Sequence, residues 1–158
     1  LLQRFYGVAA GAVDRNGGVI DKFLGDGVMA LFIPVIAGGN HAERAILAGR
    51  QILEEIEASD LPRHGVRIGI GLQSGTAFVG VLGAQDKLDF SALGDTVNVA
   101  ARLGSVAGPG ELLVSSEAWV RAGHSLDATH CREVDIAGRA APLDVVVSQF
   151  GTVASSAA

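Results

Sequence analysis

The sequence predicts an α+β domain, one sheet with helices packed on it, because short strand-like runs alternate with long amphipathic helices. Two observations carry this. Apolar residues recur at helical spacing in residues 1–13 and again in residues 41–58, where Ala42, Ile46, Ile52, Leu53 and Ile56 make one stripe. Short apolar runs at 19–24 and 28–33 flank Gly25-Asp26-Gly27, which is the turn chemistry of a β-hairpin.

The elements follow in order. Residues 1–13 form the end of a helix with Leu1, Leu2, Phe5, Val8, Ala9 and Ala12 on its apolar face, and Asn16-Gly17-Gly18 stops it. The hairpin comes next, then a loop over 34–40 whose Asn40 caps the helix of 41–58. Residues 61–65 connect to a strand at 66–72. Gln73-Ser74-Gly75 breaks that strand, a further strand covers 76–82, and 83–89 reads as a polar loop. Gly94-Asp95-Thr96 opens a helix that runs through Leu103, and Gly108-Pro109-Gly110 closes the region. A strand at 112–114, a short helix at 116–121 and strands at 132–136 and 143–150 complete the domain. No internal repeat or linker divides residues 1–150, and 151–158 reads as a small-residue tail that nothing orders.

Composition narrows the function classes. The chain has 158 residues, of which 49% are apolar, enough for one sizeable core. Charged residues are only 18%, which implies that some surface is covered by a partner. A net charge of -5 argues against a nucleic-acid polymer as ligand. The apolar runs are short and broken by Gly or Asp, so no membrane segment is expected. The chain opens on Leu1-Leu2-Gln3-Arg4 and reads as the middle of something longer. The single Cys131 excludes an internal disulfide, suits a reducing compartment, and is expected to be a buried or idle thiol. His41 opens a helix, where a cap or surface role is expected, and His64, His124 and His130 lack the spacing of a metal site.

Three segments hold candidate chemistry. Asp26 on a tight, Gly-flanked turn exposes a carboxylate on a rigid support, which suits a Mg²⁺ ion that takes few protein ligands, although a solvated turn aspartate explains the same residues. The glycines of residues 67–83 permit close backbone approach, to a ligand, to a second chain, or simply within a packed strand. Asn98 and Arg102 lie four apart on a helix and so share a face, where an amide can orient a hydroxyl and a guanidinium can neutralise a phosphate. An exposed polar stripe is the other reading, but Val97, Val99, Ala100, Ala101 and Leu103 leave these two as the only polar residues on that stretch.

The order Gly-Gly-x3-Lys-x2-Gly-Asp-Gly-x-Met-Ala-x-Phe, His-Ala-Glu-Arg-Ala, Ile-Gly-Ile-Gly-x2-Ser-Gly-x4-Gly-x2-Gly and Asp-Phe-x3-Gly-Asp-Thr-Val-Asn-x-Ala-Ala-Arg-Leu resembles the class III adenylate/guanylate cyclase catalytic domain from about residue 1 to 150. The resemblance implies a ferredoxin-like α+β sheet and a head-to-tail homodimer with composite active sites. It implies an enzyme that makes 3′,5′-cyclic AMP and pyrophosphate from ATP, with a pair of Mg²⁺ or Mn²⁺ ions in each site. Asp26 falls on one of the family's metal carboxylates, and the other lies on a first strand further upstream than Leu1. Lys22 falls on the lysine that reads adenine, where guanylate cyclases usually carry an acid; Ser91 falls on the second base-reading position. Asn98 falls on the amide that orients the ribose and Arg102 on the arginine that stabilises the reacting phosphate. Asp26 of one chain would then meet Lys22, Ser91, Asn98 and Arg102 of the other.

The chain departs from the family pattern at several positions. Ser91 replaces the usual Asp or Thr, Ala137 stands where many members place a triphosphate-binding lysine, and Thr76 stands where some have a phosphate-binding arginine. Arg139 offers a substitute cation two residues beyond Ala137 or else points to solvent. A catalytically weak, nucleotide-binding or dimerising regulatory module is the alternative these departures leave open. The resemblance further implies a cytoplasmic domain, or one on the cytoplasmic side of a membrane protein, fused to or followed by regulatory domains.

Overall fold

The computed structural model describes residues 1–84, 87–126 and 131–150, so the tail expected at 151–158 and His130 lie outside the described residues. Helix α1 (Leu2–Arg15) buries Phe5, Ala9, Ala12 and Val13. It ends as Asn16-Gly17-Gly18 predicts: the Gly18 N–H donates to the Val13 carbonyl and the Gly17 N–H to that of Asp14, both at 2.9 Å, with Gly17 at φ +73°. Strands β1 (Val19–Leu24) and β2 (Gly27–Leu31) form the expected antiparallel hairpin. Their register slips between Ile20, opposite Ala30, and Lys22, opposite Met29, which leaves Asp21 as a bulge.

The loop expected at 34–40 contains a short helix, α2 (Pro34–Ala37), because Pro34 sits at its first turn, where a missing N–H costs nothing. Helix α3 (His41–Ala58) has the bounds and the buried stripe read from sequence. Asn40 stands at its N-cap position but does not cap it; its Oδ1 accepts from Arg44 Nε at 3.2 Å instead. His41 opens α3 half-buried, and its Nδ1 has no hydrogen-bond partner among the described residues.

Beyond a 3₁₀ turn at Leu61–His64 come β3 (Ile70–Leu72), β4 (Phe78–Ala84), β5 (Lys87–Leu93), α4 (Asp95–Val106), β6 (Glu111–Ser115), α5 (Ser116–Arg121), β7 (Cys131–Val134) and β8 (Leu143–Gln149). The described strands make a four-stranded sheet in the order β3-β6-β8-β7, parallel only between β3 and β6, plus the separate hairpins β1-β2 and β4-β5. The α+β class holds, but among the described residues the expected single sheet is divided into three sheets. The strand expected at 66–72 begins only at Ile70, since the Ile68 carbonyl accepts from the Gly110 N–H at 2.8 Å outside the ladder. Likewise β4 begins after Thr76, whose carbonyl accepts from the Thr96 hydroxyl at 2.8 Å. The polar loop expected at 83–89 is largely strand: β4 and β5 pair from Phe78↔Leu93 to Ala84↔Lys87. Cys131 opens β7 in an exposed position, which removes the buried half of the expected buried-or-idle reading.

The glycines of residues 67–83 take their meaning from α4. A Cβ on Gly71 would lie 2.1 Å from the Gly104 nitrogen, and one on Gly69 would lie 2.4 Å from the Ala107 carbonyl oxygen. The close approach is therefore made by a helix of the same chain. On its inner side α4 packs Val99 and Leu103 against Leu113, Val134, Ile136 and Val145. Gly71→Ala must move backbone, so it is expected to cost about 1–3 kcal/mol, read as a lower denaturation midpoint. Gly39→Ala enters open space and should stay within about 0.5 kcal/mol of the parent. Equal midpoints for the two variants would contradict this packing.

Candidate active site

Asp26 shares the two-residue turn of the first hairpin with Gly25, whose φ of +63° suits a residue without Cβ. The Tyr6 hydroxyl donates to the Gly25 carbonyl, and the Tyr6 ring lies 4.3 Å from that of Phe23. Helix α1 thereby braces the turn from behind. Asp26 itself is exposed and takes part in none of the salt bridges among the described residues. Its hard oxygens fit a Mg²⁺ or Mn²⁺ ion that completes its shell with phosphate and water. Among the described residues no group of three or more His, Cys, Asp or Glu side chains could hold a metal ion without such outside ligands.

Lys22 and Ser91 are brought together, although 69 positions separate them. The link is Asp21, which the sequence alone shows only as part of a strand. The Ser91 hydroxyl donates to Asp21 Oδ2 at 2.9 Å, and Lys22 Nζ lies 3.3 Å from the same oxygen. The Asp21 side chain is 0% exposed and that of Lys22 is 44% exposed, so the ammonium reaches solvent from a buried anchor. Ser91 is buried on β5.

Asn98 and Arg102 lie on one face of α4, both exposed, while Val99 and Leu103 hold the opposite side in the core. The connection between β7 and β8 lies beside them: a Cβ on Gly138 would be 3.5 Å from Arg102 Nη1. Arg139 Nη2 forms an ion pair with Asp95 Oδ2 at 2.7 Å in the first turn of α4. Arg139 thus neither hangs free in solvent nor stands unengaged, and Asp95 is a second charged residue that sequence reasoning missed. No ion pair among the described residues joins Asp26 to Arg102 within the chain. Tyr6 left a signal, being the chain's only tyrosine, but its contact with the turn depends on tertiary packing.

Both hairpins carry large apolar groups in the open. Phe78 and Val81 are 62% exposed, and their cross-strand partners Leu93 and Phe90 are also exposed, as are Phe23 and Leu24. Exposed cross-strand apolar pairs of this kind suit an association face.

A family model described as the adenylate and guanylate cyclase catalytic domain matches residues 12–149. Adenylate cyclase 1 of Rhizobium meliloti (strain 1021) is 37% identical over 110 residues, which cover 65% of this chain and 16% of that protein. The chain thus spans well under two thirds of that relative's length. The solved structure of the guanylyl cyclase Cya2 superposes with a TM-score of 0.81 at 27% identity, over 98% of this chain and 81% of that one. The adenylyl cyclase CyaB from P. aeruginosa superposes with a TM-score of 0.77 at 27% identity, over 94% of this chain and 81% of its own.

Proposed function

This chain belongs to the adenylate and guanylate cyclase catalytic domain family, and from that membership we propose that it converts ATP to 3′,5′-cyclic AMP and pyrophosphate as half of a homodimer. The observation that carries the choice of base is the pairing of Lys22 with Ser91 around Asp21. An ammonium only donates, which matches the unprotonated N1 of adenine and not the N–H at the same place in guanine. The guanylyl and adenylyl structural neighbours leave the base open, so this pairing is the argument for ATP.

In the reaction the ribose 3′-hydroxyl attacks the α-phosphorus, a new P–O bond forms, and the bond to pyrophosphate breaks. Asn98 orients the ribose. Arg102, four residues along the same exposed face, meets the charge that gathers on the phosphate, a role worth roughly 10³-fold in rate for arginines of this kind. Asp26 would hold Mg²⁺ or Mn²⁺, which supplies a lowered hydroxyl pKa and charge neutralisation at the phosphates. The partner in the dimer is a second copy, seated on the exposed apolar hairpins, so that Asp26 of one chain serves the Arg102 of the other. Residues 1–150 form the catalytic domain. ATP as substrate places the domain in the cytoplasm, alone or beneath a membrane, fused to regulatory domains; among the described residues no helix is long and apolar enough to cross a membrane.

Supplied with ATP and Mg²⁺ or Mn²⁺, the full-length protein is expected to release cyclic AMP and pyrophosphate in equal amounts, with little cyclic GMP from GTP. Arg102→Ala should lower the rate by about 10³-fold. A dominant cyclic GMP product would reverse the choice of base. Saturable nucleotide binding with no cyclic product would favour the regulatory-module reading, which Ala137 supports by leaving the triphosphate without the family lysine.

A further inference from the structure

Asp21 meets no reacting group in the roles above, yet its side chain is fully buried at the point where Lys22 and Ser91 converge. In a regular strand it would face away from Lys22. The bulge between Ile20 and Lys22 turns both side chains toward the same place, since Asp21 Oδ2 meets Lys22 Nζ at 3.3 Å and the Ser91 hydroxyl at 2.9 Å. Its other oxygen, Oδ1, is buried with no hydrogen-bond partner among the described residues. A carboxylate with 0% side-chain exposure and one unsatisfied oxygen is a poor device for stability. Its retention in a bulge points to work at the site.

Building on the ATP reading, we infer that Asp21 is a positioning residue that sets which nucleobase the pocket accepts, by consuming the proton of the Ser91 hydroxyl and anchoring the Lys22 ammonium. A serine hydroxyl has one proton and two lone pairs. With its proton committed to Asp21 Oδ2, Ser91 presents lone pairs only. It then accepts from the exocyclic amine of adenine and finds no match in the carbonyl oxygen of guanine. Ser91 alone, free to rotate, would serve either base. Ser91 thus does the work of the family's usual Asp or Thr because Asp21 fixes its direction. The same carboxylate holds Lys22 over the pocket, so both base-reading groups depend on one buried residue.

The test is competition of unlabelled ATP and GTP against a fluorescent ATP analogue on the full-length protein, compared with kcat and KM for both nucleotides. Asp21→Ala frees the Ser91 proton and is expected to shrink the ATP-over-GTP preference at least tenfold, mainly through KM for ATP. Asp21→Asn keeps the volume and an acceptor and should retain more of the preference than Asp21→Ala; it also supplies a folded variant if Asp21→Ala is unstable. In a Ser91→Ala background the change produced by Asp21→Ala should be much smaller, since part of its route is already gone. Equal loss with both nucleotides and an unchanged ratio in both Asp21 variants would reduce Asp21 to a structural role and overturn the inference, while leaving the ATP reading intact. A parent that prefers GTP sinks the ATP reading, and the Asp21 inference then stands or falls on whether the ratio moves. A parent that binds neither nucleotide overturns both.

Discussion

Equal mixing of Asp26→Asn and Arg102→Ala protomers is expected to restore about a quarter of the parental cyclase activity, although each variant alone is nearly inactive. Asp26 sits on a hairpin turn braced by Tyr6, and Arg102 sits on α4, with no ion pair between them in one chain. On the proposed roles, Asp26→Asn would replace a charged oxygen ligand with a neutral amide and so weaken metal binding, while Arg102→Ala would leave the metal and lose the charge assigned to the transition state. If the two residues serve one site from opposite chains, each heterodimer carries one site with both lesions and one with neither. Random pairing makes about half of the dimers heterodimers, hence about a quarter of the sites intact. The measurement is cyclic AMP formation after mixing, with subunit exchange followed by an independent label. Exchange without recovery would place both residues in one chain's site and end the composite-site model.

What could be seen in the sequence divides by how local the physics is. The face shared by Asn98 and Arg102 follows from helix geometry alone, and α4 begins at Asp95 where Gly94 predicts it. The Asp26 turn follows from glycine chemistry within three residues. The strand β5 was hidden because Lys87 and Asp89 are poor strand residues by themselves, and only pairing with β4 makes a ladder of that stretch. Asn40 looks like a cap, but Arg44 one turn later takes its side-chain oxygen. The Asp21 bulge was invisible for the same reason as β5: its burial depends on the register of β2 and on Ser91 from another hairpin.

Lys22→Glu is expected to lower kcat/KM for ATP by about 100-fold or more, and to lower that for GTP far less. The substitution removes the donor proposed to meet adenine N1. It also sets a second carboxylate beside Asp21, which lies 3.3 Å from the ammonium it replaces and whose side chain is 0% exposed. Breaking one half of such a pair leaves a buried charge uncompensated, so the change is worse than loss of a single hydrogen bond. Lys22→Met separates these effects, because it removes the donor without adding a like charge. It should lose ATP preference to a similar degree while keeping more total activity. Combining Lys22→Glu with Asp21→Asn relieves the repulsion and should recover activity with GTP more than with ATP, since an acid at position 22 can accept from the N–H of guanine. The readout is the ratio of kcat/KM values for the two nucleotides in the full-length protein, with melting temperature followed alongside to detect repulsion in the free enzyme. A ratio that Lys22→Glu and Lys22→Met both leave unchanged would take Lys22 out of the base pocket and with it the argument for ATP.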